Sequence, residues 1–157
     1  MKSLIWLLAE PGTTPCPKPH IDAEVAVCQG CGVVYQHGHY IWSRPAPPGA
    51  AAILCPACWQ LRDRHPGGLL YLSGGFVTAH AHEILRLIET TSAEILVRQP
   101  LERIMVLRHL EDQIEIETTS EALASRLGEA MQQTFAGKLR RQYHTDEQLP
   151  YIYWRRK

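Results

Sequence analysis

The first third of the chain is written in short extended runs separated by turn residues. Residues 23–27 read as a strand. Val33-Val34-Tyr35 and His39-Tyr40-Ile41-Trp42 flank His37-Gly38, a hairpin signal. Residues 44–51 are rich in Pro and Gly and mark a loop, and Ala52-Ile53-Leu54 returns to an extended pattern. Residues 59–64 predict a short helical turn, stopped by Pro66-Gly67-Gly68. Residues 69–73 are a candidate strand, broken by Gly74-Gly75. From Thr78 the period changes. Ile84, Leu85, Leu87, Ile88, Ile95 and Leu96 form a stripe of helical spacing. Thr90-Thr91-Ser92 weakens that stripe and predicts a kink, and Pro100 ends it.

The pattern is most legible in the last third. Ile104, Val106 and Leu107 predict a strand over 103–110, and Glu111-Asp112-Gln113 a turn. Ile114 and Ile116 alternate with Glu115 and Glu117, so one face is buried and the other wet. Thr118 and Glu121 stand at capping-box spacing before a helix. Leu123, Leu127, Met131 and Phe135 recur every fourth residue along it, and Gly137 is its expected stop. Residues 138–144 and 151–155 predict two more strands around Asp146-Glu147-Gln148. The order is ββαββ, and one amphipathic helix on an antiparallel sheet builds an α+β core.

Cysteine spacing adds what periodicity cannot. Cys28-Gln-Gly-Cys31 and Cys55-Pro-Ala-Cys58 are two Cys-x-x-Cys pairs, 23 residues apart. That spacer is slightly longer than the roughly 15–20 residues of the common zinc pattern, and an extra loop absorbs the difference. Each two-residue gap lets both sulfurs of a tight turn face one metal. Four thiolates at about 2.3 Å complete a tetrahedral Zn²⁺ site. Gly32 after Cys31 permits positive φ, and Pro56 stiffens the second turn. The layout is that of a zinc ribbon with one structural zinc. The expected fold class is therefore α+β, a four-cysteine zinc ribbon followed by helix and a ββαββ antiparallel sheet domain. The expected boundaries are a flexible segment over 1–24, the ribbon over 25–66, a strand and helical connector over 67–100, and the α+β domain over 101–157.

Charge changes the picture locally rather than globally. The 157 residues are formally neutral, so the whole molecule is no obvious polyanion binder. The zinc segment sets Arg44, Arg62 and Arg64 against Asp63, whereas residues 69–137 hold five arginines against ten acids. Residues 138–157 hold six basic side chains against Asp146 and Glu147. Basic ends and an acidic middle result. The fifth cysteine, Cys16, has no role in a four-ligand site, and His20 beside it reads as an exposed histidine. Metal-binding cysteines fit a reducing compartment. The apolar run from Leu4 lacks a cleavage signal, and no stretch approaches a membrane span, so the expected location is the cytoplasm.

A closed four-cysteine site has no open coordination position and is a poor Lewis acid. His80-Ala81-His82-Glu83 sits on a predicted helix, where residues two apart face different ways, so it reads as ordinary polar positions. His37 and His39 are surface residues or donors to the thiolates. No nucleophile–base arrangement or phosphate-binding glycine loop stands out, and no enzyme is expected. The aromatic and basic residues Tyr35, Tyr40, Trp42, Arg44, Trp59, Arg62 and Arg64 on the ribbon are a sharper feature. Arg140, Arg141, Tyr143, Tyr151, Tyr153, Trp154, Arg155, Arg156 and Lys157 repeat it at the C-terminal end. Rings that stack on bases, interleaved with arginines that grip phosphates, suit RNA. The competing account puts many of the rings in the core, with Tyr35 and Trp42 filling the ribbon.

Several short motifs also form a recognisable set. They are Cys28-x-x-Cys31-Gly32, Val33-Val34-Tyr35-x-x-Gly38, Trp42, Cys55-Pro56-x-Cys58, Tyr71-Leu72-Ser73-Gly74, His82-Glu83-Ile84 and Arg103-Ile104-Met105. Ile116-Glu117-Thr118-Thr119, Leu123-Ala124 and Phe135-x-Gly137 complete it. Over 25–156 the chain resembles a family of small bacterial zinc-ribbon proteins. More distantly it resembles the zinc-binding part of the archaeal and eukaryotic adaptor for large ribosomal subunit export, nonsense-mediated mRNA decay protein three. The resemblance implies zinc ligands at Cys28, Cys31, Cys55 and Cys58 and a partner in RNA or the large ribosomal subunit. The adaptor family carries further Cys-x-x-Cys pairs and domains that these residues lack, and its export role has no bacterial counterpart. Two readings of function follow. One is a non-catalytic protein associated with RNA or the ribosome through Trp42, Arg44, Trp59, Arg62, Arg64, Arg140, Arg141, Arg155 and Arg156. The other is a protein–protein interaction module in a regulatory or stress-related complex, docking through Trp42 and Trp59.

Overall fold

The structure, a computed structural model, describes residues 23–144 and 149–157. The expectations for Cys16, His20 and the 146–148 turn lie outside the described residues. Two sheets organise the rest. The smaller contains β1 (Val25–Cys28), β2 (Val34–Gln36), β3 (His39–Ile41) and β4 (Ala51–Ile53), in the order β3-β2-β1-β4. The β2–β3 turn is the predicted hairpin. His37 and Gly38 both take positive φ, 52° and 82°, the backbone twist that a two-residue turn between antiparallel strands prefers. β4 runs parallel to β1, which brings the second cysteine pair beside the first.

Helix α1 (Pro56–Asp63) follows the second knuckle directly. It starts three residues before the predicted turn because Cys55 caps it and Pro56 occupies the first helical position, where a missing N–H costs nothing. Next come β5 (Gly68–Ser73), α2 (Gly75–Arg98), β6 (Ile104–His109), β7 (Gln113–Thr118), α3 (Glu121–Phe135), β8 (Lys138–Tyr143) and β9 (Pro150–Arg155).

The larger sheet departs from the ββαββ expectation. Its order is β6-β7-β5-β9-β8, and β5 is the central strand. β5 pairs antiparallel with β7 and parallel with β9, so the sheet is mixed, not antiparallel. Residues 67–100, expected as a strand and helical connector, supply the strand and helix, and the strand lies at the centre of the sheet rather than outside it. Leu70 and Leu72 carry the reason. They are fully buried with Ile114, Ile116, Ile152 and Trp154 under Val77, Ile84 and Ile88 of α2 and Leu123, Leu127 and Met131 of α3. Val77, Ile84 and Ile88 show that α2 shares the covering of that face with α3.

Local details also shift. α2 has no break at Thr90-Thr91-Ser92; its non-helical residue is His80. Ser120 caps α3 by accepting the Leu123 N–H at 3.0 Å, whereas Thr118 donates to the Gly68 and Ser120 carbonyls instead of forming the predicted capping box. Trp154, counted among the C-terminal aromatics, is fully buried and donates its indole N–H to Ala136 at 2.7 Å.

If β5 is the centre of the core, Leu72→Ala should destabilise the protein by about 2–5 kcal/mol. A connector residue would cost under about 0.5 kcal/mol. Urea unfolding followed by far-UV circular dichroism reads the difference.

Candidate metal centre

The ribbon's core is its cysteines. Cys28, Val33, Cys55 and Ala57 are buried together, with Cys31, Cys58, Tyr40, Leu54 and Leu101 packed around them. So small a sheet buries few large side chains, and sulfur chemistry fills the place of a hydrocarbon core. The four Sγ atoms lie within 4.8 Å of one another, and Cys31 and Cys55 are 3.8 Å apart. A tetrahedron with metal–sulfur bonds of about 2.3 Å has edges of about 3.8 Å. Donor type, number and spacing therefore fit one tetrahedral metal ion.

Both knuckles aim backbone N–H groups at sulfur. Gly30 and Cys55 donate to Cys28 Sγ at 3.3 and 3.2 Å, and Cys58 donates to Cys55 Sγ at 3.4 Å. The first knuckle is closed by Gly32 N–H to the Cys28 carbonyl at 2.9 Å, with Gly32 at φ 80°. Gly30 must also be glycine, since a Cβ there would sit 2.9 Å from Cys58 Sγ. The second knuckle opens α1, whose N-terminal dipole favours negative sulfur. Burial works to raise the Cys28 thiol, but backbone hydrogen bonds from Cys55, Cys31 and Gly30 outweigh it and bring it to about 6. Burial also dominates at Cys55, and the charges of Cys31 and Cys28 add to it, so that thiol is held up. Cys58 is raised by burial against the opposing Arg103 hydrogen bond.

Arg103 is the residue that sequence reasoning missed. It stands just before β6 and reaches across to the ribbon. One guanidinium nitrogen donates to Cys31 Sγ at 3.0 Å, another to Cys58 Sγ at 3.3 Å, and Cys55 Sγ lies 3.9 Å away. Nε donates to the Pro100 carbonyl at 2.9 Å, fixing the fork. Partial burial disfavours its charge, yet the bonds to Cys31 and Cys58 outweigh burial and raise its pKa above the ordinary arginine value. Four thiolates with a divalent ion carry two negative charges, and Arg103 offsets one of them. The only sequence signal was its place in the Arg103-Ile104-Met105 motif. The spacing to the cysteines, 45 and 72 residues, hides the contact.

The same junction is stitched by polar contacts. Gln60 of α1 donates to the Thr119 carbonyl at 2.8 Å, and Thr119 exchanges backbone and side-chain hydrogen bonds with Arg103. Trp42 donates its indole N–H to Leu96 of α2 at 2.9 Å, and the Arg103 guanidinium lies 5.8 Å from its ring centre. Trp42 is thus a junction residue with one exposed edge, not a filler of the ribbon.

The other predicted binding residues fall into separate groups. Arg44, Arg62 and Arg64 are exposed on the ribbon, with Arg62 on Asp63 at 2.7 Å, and Trp59 is half-buried edge-on to His65. Arg140 and Arg155 are exposed on β8 and β9. Arg141 points to the helix side and meets Glu129 of α3 at 3.5 Å. Arg156 lies over the Phe76 ring at 4.2 Å and donates to the Phe135 carbonyl. The ribbon meets the ends of β6 and β7, whereas β8 is the opposite edge, about 19 Å away at four strand spacings. The ribbon and C-terminal sets are two surfaces. His80 pairs with Glu83 on the α2 surface, and His37 and His39 are exposed, so none of these histidines donates to a thiolate.

Fold and site together define a mixed α+β protein with a four-cysteine, metal-competent centre at the junction of its two sheets. No protein-family model, curated protein or solved structure matches the chain. No helix among the described residues is long and apolar enough to cross a membrane.

Two outcomes follow for the metal. Arg103→Ala should lower the stability of the metal-loaded protein by roughly 3 kcal/mol, since hydrogen bonds to charged groups contribute about 1.5–3 kcal/mol each. Arg103→Lys keeps the charge without the fork and should recover part of it, read by thermal unfolding. Because Cys55 and Cys58 hold their protons at neutral pH, metal uptake should release protons and affinity should fall as pH drops. Competition with a chromophoric chelator between about pH 6 and 8 measures it, and a flat profile would contradict the thiol assignment.

Proposed function

We propose that the chain is a non-catalytic zinc-binding protein that associates with RNA, with the large ribosomal subunit as the partner its motifs resemble. The observation that carries the zinc reading is the closed tetrahedron of four cysteine sulfurs backed by Arg103. An all-thiolate site of this size suits Zn²⁺, and its closed ligand set serves structure rather than Lewis-acid chemistry. RNA association is supported by exposed Arg44, Arg62 and Arg64 on the ribbon and Arg140 and Arg155 on the far sheet edge. Such side chains neutralise phosphates, and contacts of that kind weaken as counter-ions are added.

The second reading, a protein-docking module, draws on exposed apolar residues. Ile41 and Trp42 are each 41% accessible and Leu61 is 38% accessible. The expected zinc content is one ion per chain, measured on protein purified without added metal, and Cys58→Ser should abolish it. The zinc-loaded protein should co-sediment with large ribosomal subunits at low salt and be released as salt rises. Replacing Arg62, Arg140 and Arg155 with glutamine should weaken that association. Retention of a partner by the triple variant, with no RNA recovered, supports docking through the apolar residues instead.

A further inference from the structure

Among the described residues, the helices cover one face of the five-stranded sheet. Alternation along the strands puts Leu70, Leu72, Ile114, Ile116, Ile152 and Trp154 under α2 and α3. Their odd-numbered neighbours point the other way. Tyr71 of β5 and Tyr151 and Tyr153 of β9 meet on that second face, in the middle of the sheet. Tyr71 stacks on Tyr153 with ring centres 5.3 Å apart and planes 16° from parallel. It also lies 6.0 Å from Tyr151 at 3°. His144 adds an edge-on contact to Tyr151 at 4.5 Å. All three tyrosines are half-buried rather than enclosed in the core. Cross-strand aromatic pairs stabilise any sheet. That role does not require three near-parallel rings on the face turned away from the helices.

Charge distinguishes the two sides of this aromatic row. On the β7 side, Glu115 and Glu117 are engaged by Arg108 at 3.7 and 3.1 Å. On the β8 side, Arg140 is paired in register with Tyr153, and Lys138 with Arg155, so all three cations share the tyrosine face. All three are exposed, and among the described residues none of them meets an acid. A row of rings bordered by these exposed cations on one side matches a ligand with flat apolar groups on an anionic thread.

We propose that the face formed by Tyr71, Tyr151 and Tyr153 is a platform for single-stranded nucleic acid, with Lys138, Arg140 and Arg155 along β8 and β9 holding its phosphates. Bases extend from that edge over the tyrosines, whose π-faces accept any base, so binding is sequence-tolerant. A duplex keeps its bases stacked internally and cannot use the platform. This inference rests on the nucleic-acid reading above and moves its base-contacting part from the ribbon to the sheet.

The test uses the full-length, zinc-loaded chain and fluorescein-labelled 12-mers: single-stranded RNA, the same sequence as DNA, and duplex RNA. Both single strands should bind more tightly than duplex, and ultraviolet crosslinks should map to peptides holding Tyr71, Tyr151 or Tyr153. Tyr153→Leu should weaken single-strand binding about tenfold, and Tyr153→Phe should retain it. Arg140→Gln should weaken binding and flatten its salt dependence without touching the aromatic row. Zinc content and thermal midpoint are read on each variant, and the crosslink map needs no variant. Single-strand binding with crosslinks confined to Trp42 or Trp59, unchanged by Tyr153→Leu, overturns the platform while the RNA reading stands. Equal affinity for duplex and single strand also overturns it. Binding to none of the three probes overturns the platform, and ribosomal co-sedimentation then decides the RNA reading separately.

Discussion

A guanidinium held among thiolates organises this molecule. Arg103 comes from the sheet that builds the larger core, yet its fork is turned into the smaller one, between Cys31 and Cys58. Neither side of that contact is stable alone. Four clustered thiolates, those of Cys28 and Cys55 buried, would repel one another, and a half-buried arginine without acceptors loses hydration for nothing. A divalent metal removes most of the repulsion, and Arg103 offsets part of the charge that remains. With a metal bound, the ribbon, too small to bury many large side chains, would fold around a charge-compensated centre rather than a hydrocarbon one. The Gln60–Thr119 and Trp42–Leu96 hydrogen bonds then fix its orientation against the sheet.

On the proposed reading the cysteines are architectural. Their metal would have no vacant position, and the surrounding donors stabilise sulfur rather than prepare a reaction. On that reading, recognition falls to the surfaces the centre holds apart. The ribbon displays one set of exposed cations, and the far edge of the five-stranded sheet displays another. Between them lies the sheet face with its tyrosine row, turned away from both helices.

Much of the architecture could be read from short-range patterns. The hairpin at His37-Gly38, the alternation from Ile114 to Glu117 and the four-residue repeat from Leu123 to Phe135 are local, and local physics dictates them. The Cys-x-x-Cys pairs are local too, and their sum is a ligand set. What the sequence hid is long-range. β5 is six residues long and isolated between glycines, so nothing nearby says that it is the central strand or that β9 runs parallel to it. Arg103 resembles any solvated arginine until the fold brings Cys31 and Cys58 beside it. Arginines grouped by proximity in the chain separate in space for the same reason. Adjacent residues on a strand point to opposite faces, so Arg140 joins the tyrosines while Arg141 meets Glu129.

The central claim is that the metal centre joins the ribbon to the sheet through Arg103. Hydrogen exchange on the loaded protein, compared with protein stripped by a chelator, addresses it most directly. Stripping should remove protection from the ribbon over 25–66 and from the amides of Arg103 and Thr119, while the core strands β5 and β7 and helix α3 stay protected. Protection at Arg103 and Thr119 that survives loss of the metal and unfolding of the ribbon would contradict the account.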